Sequence, residues 1–138
     1  MYTIKEVSQA LNIPASTLRY YDKKGLLPFI ERKESGYRLF SERDIEMLRL
    51  IECLKATGMS LEDIRQFAIW LHEGDSTLQQ RYAMFLERRR AVEQQMADLQ
   101  KALDVIEYKC WFYENAVAAG TAAIPEKLKE RKNPLYEK

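Results

Sequence analysis

The chain has 138 residues, enough for one compact domain or for a small domain with an extension. Its hydrophobic fraction of 46% can supply a core, no stretch approaches a membrane span and the N-terminus lacks a signal peptide, so we expect a soluble, cytoplasmic protein. The net charge of +1 is unevenly distributed: residues 1–40 carry 7 basic and 4 acidic groups, whereas residues 41–77 carry 4 and 8. A site for an anionic partner is therefore expected in the first 40 residues.

A capping box opens the first predicted helix. Thr3 and Glu6 have the spacing of a reciprocal cap. The buried stripe of this helix consists of Ile4, Val7 and Leu11. Asn12 tolerates the positive φ that a tight turn needs, and Pro14 is suited to the first turn of a second helix. Together these signals predict a helix-turn-helix.

The second predicted helix has two chemically different faces. Leu18 and Tyr21 point inward, toward Ile13 and Leu26. The other face, flanked by Arg19, offers hydroxyls, a phenol and cations: Ser16, Thr17, Tyr20, Lys23 and Lys24. This mixture suits DNA, because cations and hydroxyls bind phosphates and hydrogen-bonding tips bind base edges. Gly25 is expected to end the helix in the left-handed conformation.

Two short strands are predicted after this helix, at residues 31–33 and 37–39, with a loop between them. The hairpin carries three cations: Arg32, Lys33 and Arg38. Such a hairpin can lie along a phosphate backbone as a wing. The residues alone leave open that it is an ordinary solvated hairpin.

Two further capped helices follow. Ser41 and Asp44 predict the start of a third helix, which Gly58 ends, and Ser60 and Asp63 predict the start of a fourth. Their apolar positions are Ile45, Met47, Leu48, Leu50, Ile51 and Leu54 in the third helix, and Leu61, Ile64, Phe67 and Leu71 in the fourth. We expect both helices to pack under the winged motif and to hold it at a fixed angle.

A long helix with a heptad pattern is predicted from Leu78, after a break in which Asp75 or Ser76 can cap it. The heptad positions are Leu78, Tyr82, Phe85, Arg89, Val92, Met96, Leu99, Leu103, Ile106, Cys110, Tyr113 and Val117. Only Arg89 among them is neither apolar nor a thiol, and no glycine or proline interrupts before Gly120. The helix would be roughly 60 Å long, too long to bury its stripe against a small domain, so the pattern predicts a two-stranded coiled coil with a second copy. The alternative is an intramolecular bundle helix.

Several motifs in fixed order resemble the MerR family of bacterial transcriptional regulators. They are Thr-Leu-Arg-Tyr-Tyr-Asp, Lys-Lys-Gly-Leu-Leu-Pro, Gly-Tyr-Arg-Leu-Phe-Ser and, at residues 58–65, Gly-Met-Ser-Leu-Glu-Asp-Ile-Arg. The resemblance is close over residues 2–70 and extends in architecture to about residue 117. It implies a mainly α fold. A winged helix-turn-helix domain would occupy residues 1–74, an antiparallel coiled-coil dimerisation helix residues 75–119, and a tail residues 120–138.

The resemblance also implies a function. Family members bind promoters whose two recognition elements lie too far apart, and they activate RNA polymerase by bending and untwisting the DNA. A homodimer would place two winged domains on two half-sites. Ser16, Thr17, Arg19 and Tyr20 would contact the major groove or its flanking phosphates, and the remaining phosphate contacts would come from Lys23, Lys24, Tyr37 and Arg38. No catalytic set or cofactor motif is found, so we expect neither an enzyme nor a cofactor.

Two cysteines are candidates for sensing an effector, and both are expected to be reduced thiols. Metal-sensing relatives place several cysteines near the far end of the long helix, but Cys110 is the only one there, so no metal site is expected. Cys53 has Arg49 one turn before it, and a neighbouring cation favours the thiolate. Its surroundings resemble the branch of the family that responds to aldehydes and other electrophiles. The alternative is that Cys53 is a buried, inert thiol.

The long helix ends in a dense aromatic cluster around Trp111. This cluster could line an effector pocket for an apolar or planar ligand, or it could pack against the winged domain of a second subunit. The polar stretch from residue 124 to 138 is expected to be a loose tail or a short docking helix. Two other functional classes remain open on residues alone: a coiled-coil adaptor whose helix-turn-helix binds protein, and a small-molecule-binding protein or enzyme built on the aromatic end.

Overall fold

The computed structural model describes residues 1–123 and 131–136, and its elements are mainly helical. In chain order they are β1 (Tyr2–Thr3), α1 (Ile4–Leu11), α2 (Ala15–Lys23), β2 (Glu31–Arg32), β3 (Arg38–Phe40), α3 (Glu42–Ala56), α4 (Leu61–Glu73) and α5 (Leu78–Ala119). Two 3₁₀ turns, Asp75–Thr77 and Pro134–Tyr136, complete the list. The predicted fold class, a winged helix-turn-helix followed by a long helix, is confirmed.

The helix starts follow the predicted caps. The Thr3 hydroxyl accepts a hydrogen bond from the Glu6 amide at 3.1 Å, and the Glu6 carboxylate accepts one from the Thr3 amide at 3.0 Å. The bond from the Thr3 amide stabilises the ionised carboxylate and lowers the pKa of Glu6, and the Thr3 side chain adds to this effect. Ser41 and Asp44 form the same reciprocal box at α3. At α4 the Ser60 hydroxyl caps the helix by accepting from the backbone amide three residues on, at 3.1 Å.

The wing sheet has three strands in the order β1-β3-β2, all antiparallel. The sequence pattern predicts its hairpin, with strand limits that differ from the observed ones by one residue. The pattern does not reveal β1, whose Tyr2 pairs with Phe40. A strand of two residues has no alternation to detect, and its pairing partner lies 38 positions along the chain. The sheet therefore joins the very start of the chain to the base of the wing.

The chain forms two compact units, Met1–Arg88 and Arg89–Lys138. The first unit has a continuous apolar core to which every helix and the sheet contribute. Its fully buried large side chains are Val7, Leu18, Tyr21, Leu26, Phe40, Leu48, Ile51 and Ile64. The predicted inward positions of α2, α3 and α4 are thus buried or half-buried, and the core holds the helix-turn-helix from beneath.

The link between α4 and α5 differs from the prediction. Asp75 and Ser76 lie in a 3₁₀ turn and do not cap α5. The residue that organises the link is Thr77, which is only 3% exposed. Its hydroxyl oxygen lies 2.8 Å from the carbonyl oxygen of Gly74, contacts the carbonyl of Trp70, and accepts a bond from Arg81. The backbone contacts of this buried hydroxyl therefore organise the link, rather than caps by Asp75 or Ser76, which the sequence pattern predicts.

The long helix α5 runs without interruption for 42 residues, as predicted. Most of its heptad positions are apolar yet exposed in the single chain. Those more than a third exposed include Leu78, Tyr82, Phe85, Met96, Leu99, Leu103, Ile106, Tyr113 and Val117. Beyond the helix, the predicted tail at residues 120–138 lies partly outside the described residues.

Candidate nucleic-acid interface

The turn before α2 fixes where the helix begins. Asn12 adopts the left-handed conformation with φ 55°, as its side chain allows. Pro14 is the N-cap of α2, next to the N1 position and thus at or near N1 as expected, and its carbonyl accepts from the amides of Thr17 and Leu18. At the other end Gly25 is left-handed, with φ 77°, and ends the helix as predicted. The start and the end of α2 are therefore fixed by residues whose backbone conformations suit a turn and a helix end.

The outward face of α2 is accessible and polar. The ammonium group of Lys24 lies over the ring of Tyr20, 5.6 Å from the ring centroid, so a phenol and a cation lie side by side on this face. Thr17 is half-buried, and Tyr20 is 44% exposed. The exposed members of the predicted set on this helix are Ser16, Arg19, Tyr20, Lys23 and Lys24. The structure thus brings all six predicted residues of α2 and its C-cap onto one continuous, positively charged face.

The inward face of α2 is anchored to α3 by Tyr21. Its hydroxyl donates to Glu52 Oε1 at 2.8 Å and accepts from Lys55 Nζ at 2.7 Å. Burial raises the pKa of Tyr21, and the hydrogen bond to Tyr21 raises the pKa of Lys55. The outward face is consequently presented by a helix that is fixed from below by packing and by a polar contact.

The wing is a hairpin with an ordered tip. The Lys33 amide donates to the Tyr37 carbonyl at 2.8 Å, and the Gly36 amide donates to the Lys33 carbonyl at 2.8 Å. Tyr37 is 49% exposed at this tip. The Arg38 side chain, by contrast, is only 23% exposed and donates to an acidic group. The two predicted wing residues therefore occupy different environments.

That acidic group is Asp22, which sequence analysis did not single out. It is the last acidic residue of α2, and its Oδ2 accepts from Arg38 Nε at 2.7 Å and from Arg32 Nη2. The bond joins positions 16 residues apart, so no local spacing rule could have indicated it. Its effect is to connect the helix that carries one half of the candidate interface to the hairpin that carries the other half.

The candidate sensor Cys53 lies on α3 as a free, exposed thiol. The thiol is therefore not buried, unlike in the alternative that treats it as a small core residue. Its neighbours along the chain, Glu52 and Lys55, are the two partners of Tyr21. The thiol is therefore placed on the same stretch of α3 that anchors α2.

The aromatic end of α5 belongs to the second unit. Cys110 is free and exposed. Trp111 is half-buried, its ring centroid lies 5.5 Å from that of Tyr108, and the guanidinium of Arg131 lies 5.5 Å from the Trp111 centroid. An intramolecular cation–π contact thus already covers part of this aromatic surface.

In the ranges 1–123 and 131–136, no group of three or more His, Cys, Asp or Glu side chains could hold a metal ion. Within the same ranges no helix is both long and apolar enough to cross a bilayer.

Comparison with known families and structures places these features in one family. The model of the MerR HTH family regulatory protein matches residues 2–68, and the MerR DNA-binding model matches residues 45–108. An uncharacterised HTH-type transcriptional regulator of Haemophilus influenzae is 44% identical over 120 residues, covering 87% of this chain and 89% of that protein. The HTH-type transcriptional regulator AdhR of Bacillus subtilis is 36% identical over 91 residues, or 65% of each chain.

A solved structure shows the same architecture. It is the crystal structure of HiNmlR, a MerR family regulator lacking the sensor domain, bound to promoter DNA. The two chains are 44% identical with a TM-score of 0.80, over 88% of this chain and 96% of HiNmlR. These relatives are regulators, so they do not favour the adaptor and enzyme alternatives. By sequence, fold and the arrangement of α2 and the wing, the chain belongs to the MerR family of DNA-binding transcriptional regulators.

Proposed function

We propose that the chain binds promoter DNA as a homodimer and regulates transcription by distorting that DNA. The observation that carries the proposal is the continuous polar and cationic face of α2 with the wing fixed beside it. A fold that superposes on a promoter-bound relative supports the same use of this face. Promoter DNA and RNA polymerase, the partner that the family implies, lie in the bacterial cytoplasm, so the protein would act there.

In this proposal α2 enters the major groove. Ser16, Thr17, Arg19 and Tyr20 contact base edges or the phosphates that flank them, because hydroxyls and a guanidinium can do both. Lys23, Lys24, Tyr37 and Arg38 contact phosphates on either side. The accessibility of the α2 cations and of Tyr37 supports these roles. The attraction of Arg38 for a phosphate is weaker than that of a free guanidinium, because Asp22 already binds its side chain.

The dimer forms through α5. Leu99 is 69% exposed and Met96 is 64% exposed in the single chain, although both belong to the heptad stripe. A row of large apolar side chains of this length is covered in a stable protein, and a second α5 has the matching pattern. An antiparallel pair would place the two DNA-binding domains, residues 1–74, at opposite ends of the coiled coil, residues 75–119, with residues 120–138 following as a tail.

The regulatory step acts through DNA shape. A promoter whose recognition elements are too far apart becomes competent when bending and untwisting bring them into register. The test is transcription in vitro with purified protein, RNA polymerase and the promoter that the chain binds. We expect activation on the natural spacer and none on a spacer shortened to the length of unregulated promoters. Equal activation on both templates would contradict distortion as the mechanism.

We further propose that Cys53 senses electrophiles, in a stress response to aldehydes. Its exposure leaves the sulfur accessible to an electrophile, and Arg49 lies one turn earlier on α3. With an aldehyde, the sulfur would bond to the carbonyl carbon and the thiol proton would pass to the carbonyl oxygen, which gives a hemithioacetal. The adduct would form on the stretch of α3 whose Glu52 and Lys55 hold Tyr21, and so beside the anchor of α2.

Matched cysteine variants test the sensor. We expect Cys53→Ala to bind the promoter normally and to lose induction by formaldehyde, whereas Cys110→Ala keeps it. Retained induction in Cys53→Ala would exclude Cys53 as the sensor. Lost induction in Cys110→Ala alone would transfer the role to the aromatic end of α5, where Trp111 could line a site for an apolar or planar effector.

A further inference from the structure

Two arginines of the wing converge on one carboxylate of α2. Asp22 Oδ2 accepts from Nε of Arg38, on β3, at 2.7 Å, and from Nη2 of Arg32, on β2. The side chain of Asp22 is only 5% exposed, so this is a largely desolvated charge with two charged partners. Charge-assisted hydrogen bonds to a desolvated carboxylate are strong, and they fix the positions of the donor groups.

The sheet register places two like charges opposite each other in the wing. Arg32 and Arg38 are directly opposed Cα partners in the β2–β3 ladder. Like charges in opposed positions destabilise a hairpin, and β2 has only two residues of pairing with which to resist them. Asp22 lies between the two guanidinium groups, so it removes the repulsion and at the same time ties both strands to the end of α2.

We infer that Asp22 is a positioning residue for DNA binding, which holds the wing at the distance and angle from α2 that simultaneous contact requires. The inference rests on the proposed DNA-binding function and deepens it. A helix and a wing held in one rigid arrangement bind DNA more tightly than the same elements joined flexibly. Once the first element is bound, little further conformational entropy is lost when the second one binds. Asp22 needs no contact with DNA to have this effect.

The sign of the effect separates this role from simple electrostatics. A carboxylate close to a phosphate backbone repels it, so removing a negative charge should tighten binding if charge alone matters. Removing the charge that holds the wing should weaken binding. Asp22→Asn keeps the size of the side chain and deletes only the charge, and Glu34→Gln deletes an exposed charge in the wing loop as the matched control.

The experiment measures the affinity of both full-length variants for a DNA duplex that the unaltered chain binds, across a salt series. We expect Asp22→Asn to bind on the order of tenfold more weakly and with a shallower salt dependence, since wing phosphates are lost. Glu34→Gln should bind equally well or more tightly. In an Arg38→Gln background, Asp22→Asn should weaken DNA binding by a smaller factor than it does alone, because one of the two partners of Asp22 is already absent.

Amide hydrogen exchange in the free protein gives a readout independent of DNA. We expect faster exchange at Lys33 and at the β2–β3 ladder in Asp22→Asn, with the amides of α3 unchanged. If Asp22→Asn fails to fold, Arg32→Gln takes its place, with the same expected loss of protection in the wing. Unchanged protection in Arg32→Gln would then overturn the inference.

Failure of the inference is distinguishable from failure of the function. An unaltered chain that binds no duplex contradicts the proposed function. If the unaltered chain binds and Asp22→Asn binds as tightly or more tightly, Asp22 is not a positioning residue although the function stands. Faster wing exchange with full DNA affinity would overturn the inference too, because the wing would then not need to be held.

Discussion

The hydroxyl of Tyr21 donates to Glu52 Oε1 at 2.8 Å, and this bond joins α2, the helix of the candidate interface, to α3, the helix that carries Cys53. The same hydroxyl accepts from Lys55 at 2.7 Å, and the Lys55 ammonium also lies 5.3 Å from the centroid of the Tyr21 ring. The aromatic ring itself belongs to the core. Tyr21 therefore couples apolar packing and a polar contact at a single position.

Replacing Tyr21 by phenylalanine should lower the free energy of unfolding by about 1–2 kcal/mol, because the ring still packs while two hydrogen bonds are lost. Glu52 and Lys55 remain 3.9 Å apart and can compensate in part. Urea unfolding with an unchanged m-value would measure the loss. Tyr20→Phe, at an exposed ring, should change stability by less than about 0.5 kcal/mol. Equal effects in the two variants would contradict the anchoring role.

Stability should fall in alkaline solution through the same contact. Burial raises the pKa of Tyr21, so the unfolded chain, with a tyrosine pKa of about 10, loses this proton first. The contribution of this group to the free energy of unfolding is thus fully present below about pH 10, and it is lost as pH rises through the folded-state pKa of Tyr21. The raised pKa of Lys55 acts in the same direction. Unfolding midpoints from pH 8 upward should decline less steeply in Tyr21→Phe, and parallel declines would exclude Tyr21 as the cause.

Thr77→Val should destabilise the link between α4 and α5 by about 0.5–1.5 kcal/mol, because the variant keeps the shape and loses the hydrogen bonds of a buried hydroxyl. These are the bond that the hydroxyl donates to a carbonyl of Trp70 or Gly74 and the bond that it accepts from Arg81. Thermal unfolding measures the effect, and Ser76→Ala, at an exposed position next to it, is the control. A variant as stable as the control would show that the buried hydroxyl contributes nothing.

These examples show which features can be predicted from sequence. The reciprocal caps at Thr3 and Ser41 depend on spacings of three residues, and the heptad of α5 on a repeat, so both are visible in the chain itself. The Asp22 contact with Arg38 and the pairing of β1 with β3 depend on positions brought together by the fold. The local signal at Asp75 predicted the wrong cap, because the link depends on the backbone contacts of the buried Thr77 hydroxyl, which the sequence pattern does not show.

Leu99→Asp should convert the proposed dimer to monomer and should not destabilise the chain's own fold. Leu99 is exposed in the single chain and would be buried only in the coiled coil, where a charge is costly. We expect the dimer dissociation constant to rise on the order of 100-fold in sedimentation equilibrium. Lys101→Asp, on the other side of α5, should leave the dimer intact. A monomeric unaltered protein at micromolar concentration would contradict the dimer outright.

Sequence-specific DNA binding is tested most directly by selection of bound duplexes from a random-sequence DNA library with the full-length chain at near-physiological salt. We expect enrichment of one site with two symmetric half-sites, and Arg19→Ala should lose that enrichment while weak, salt-sensitive binding persists. No enrichment by the unaltered chain, or enrichment of a single unrepeated half-site, would contradict a homodimer that reads promoter DNA through α2 and the wing.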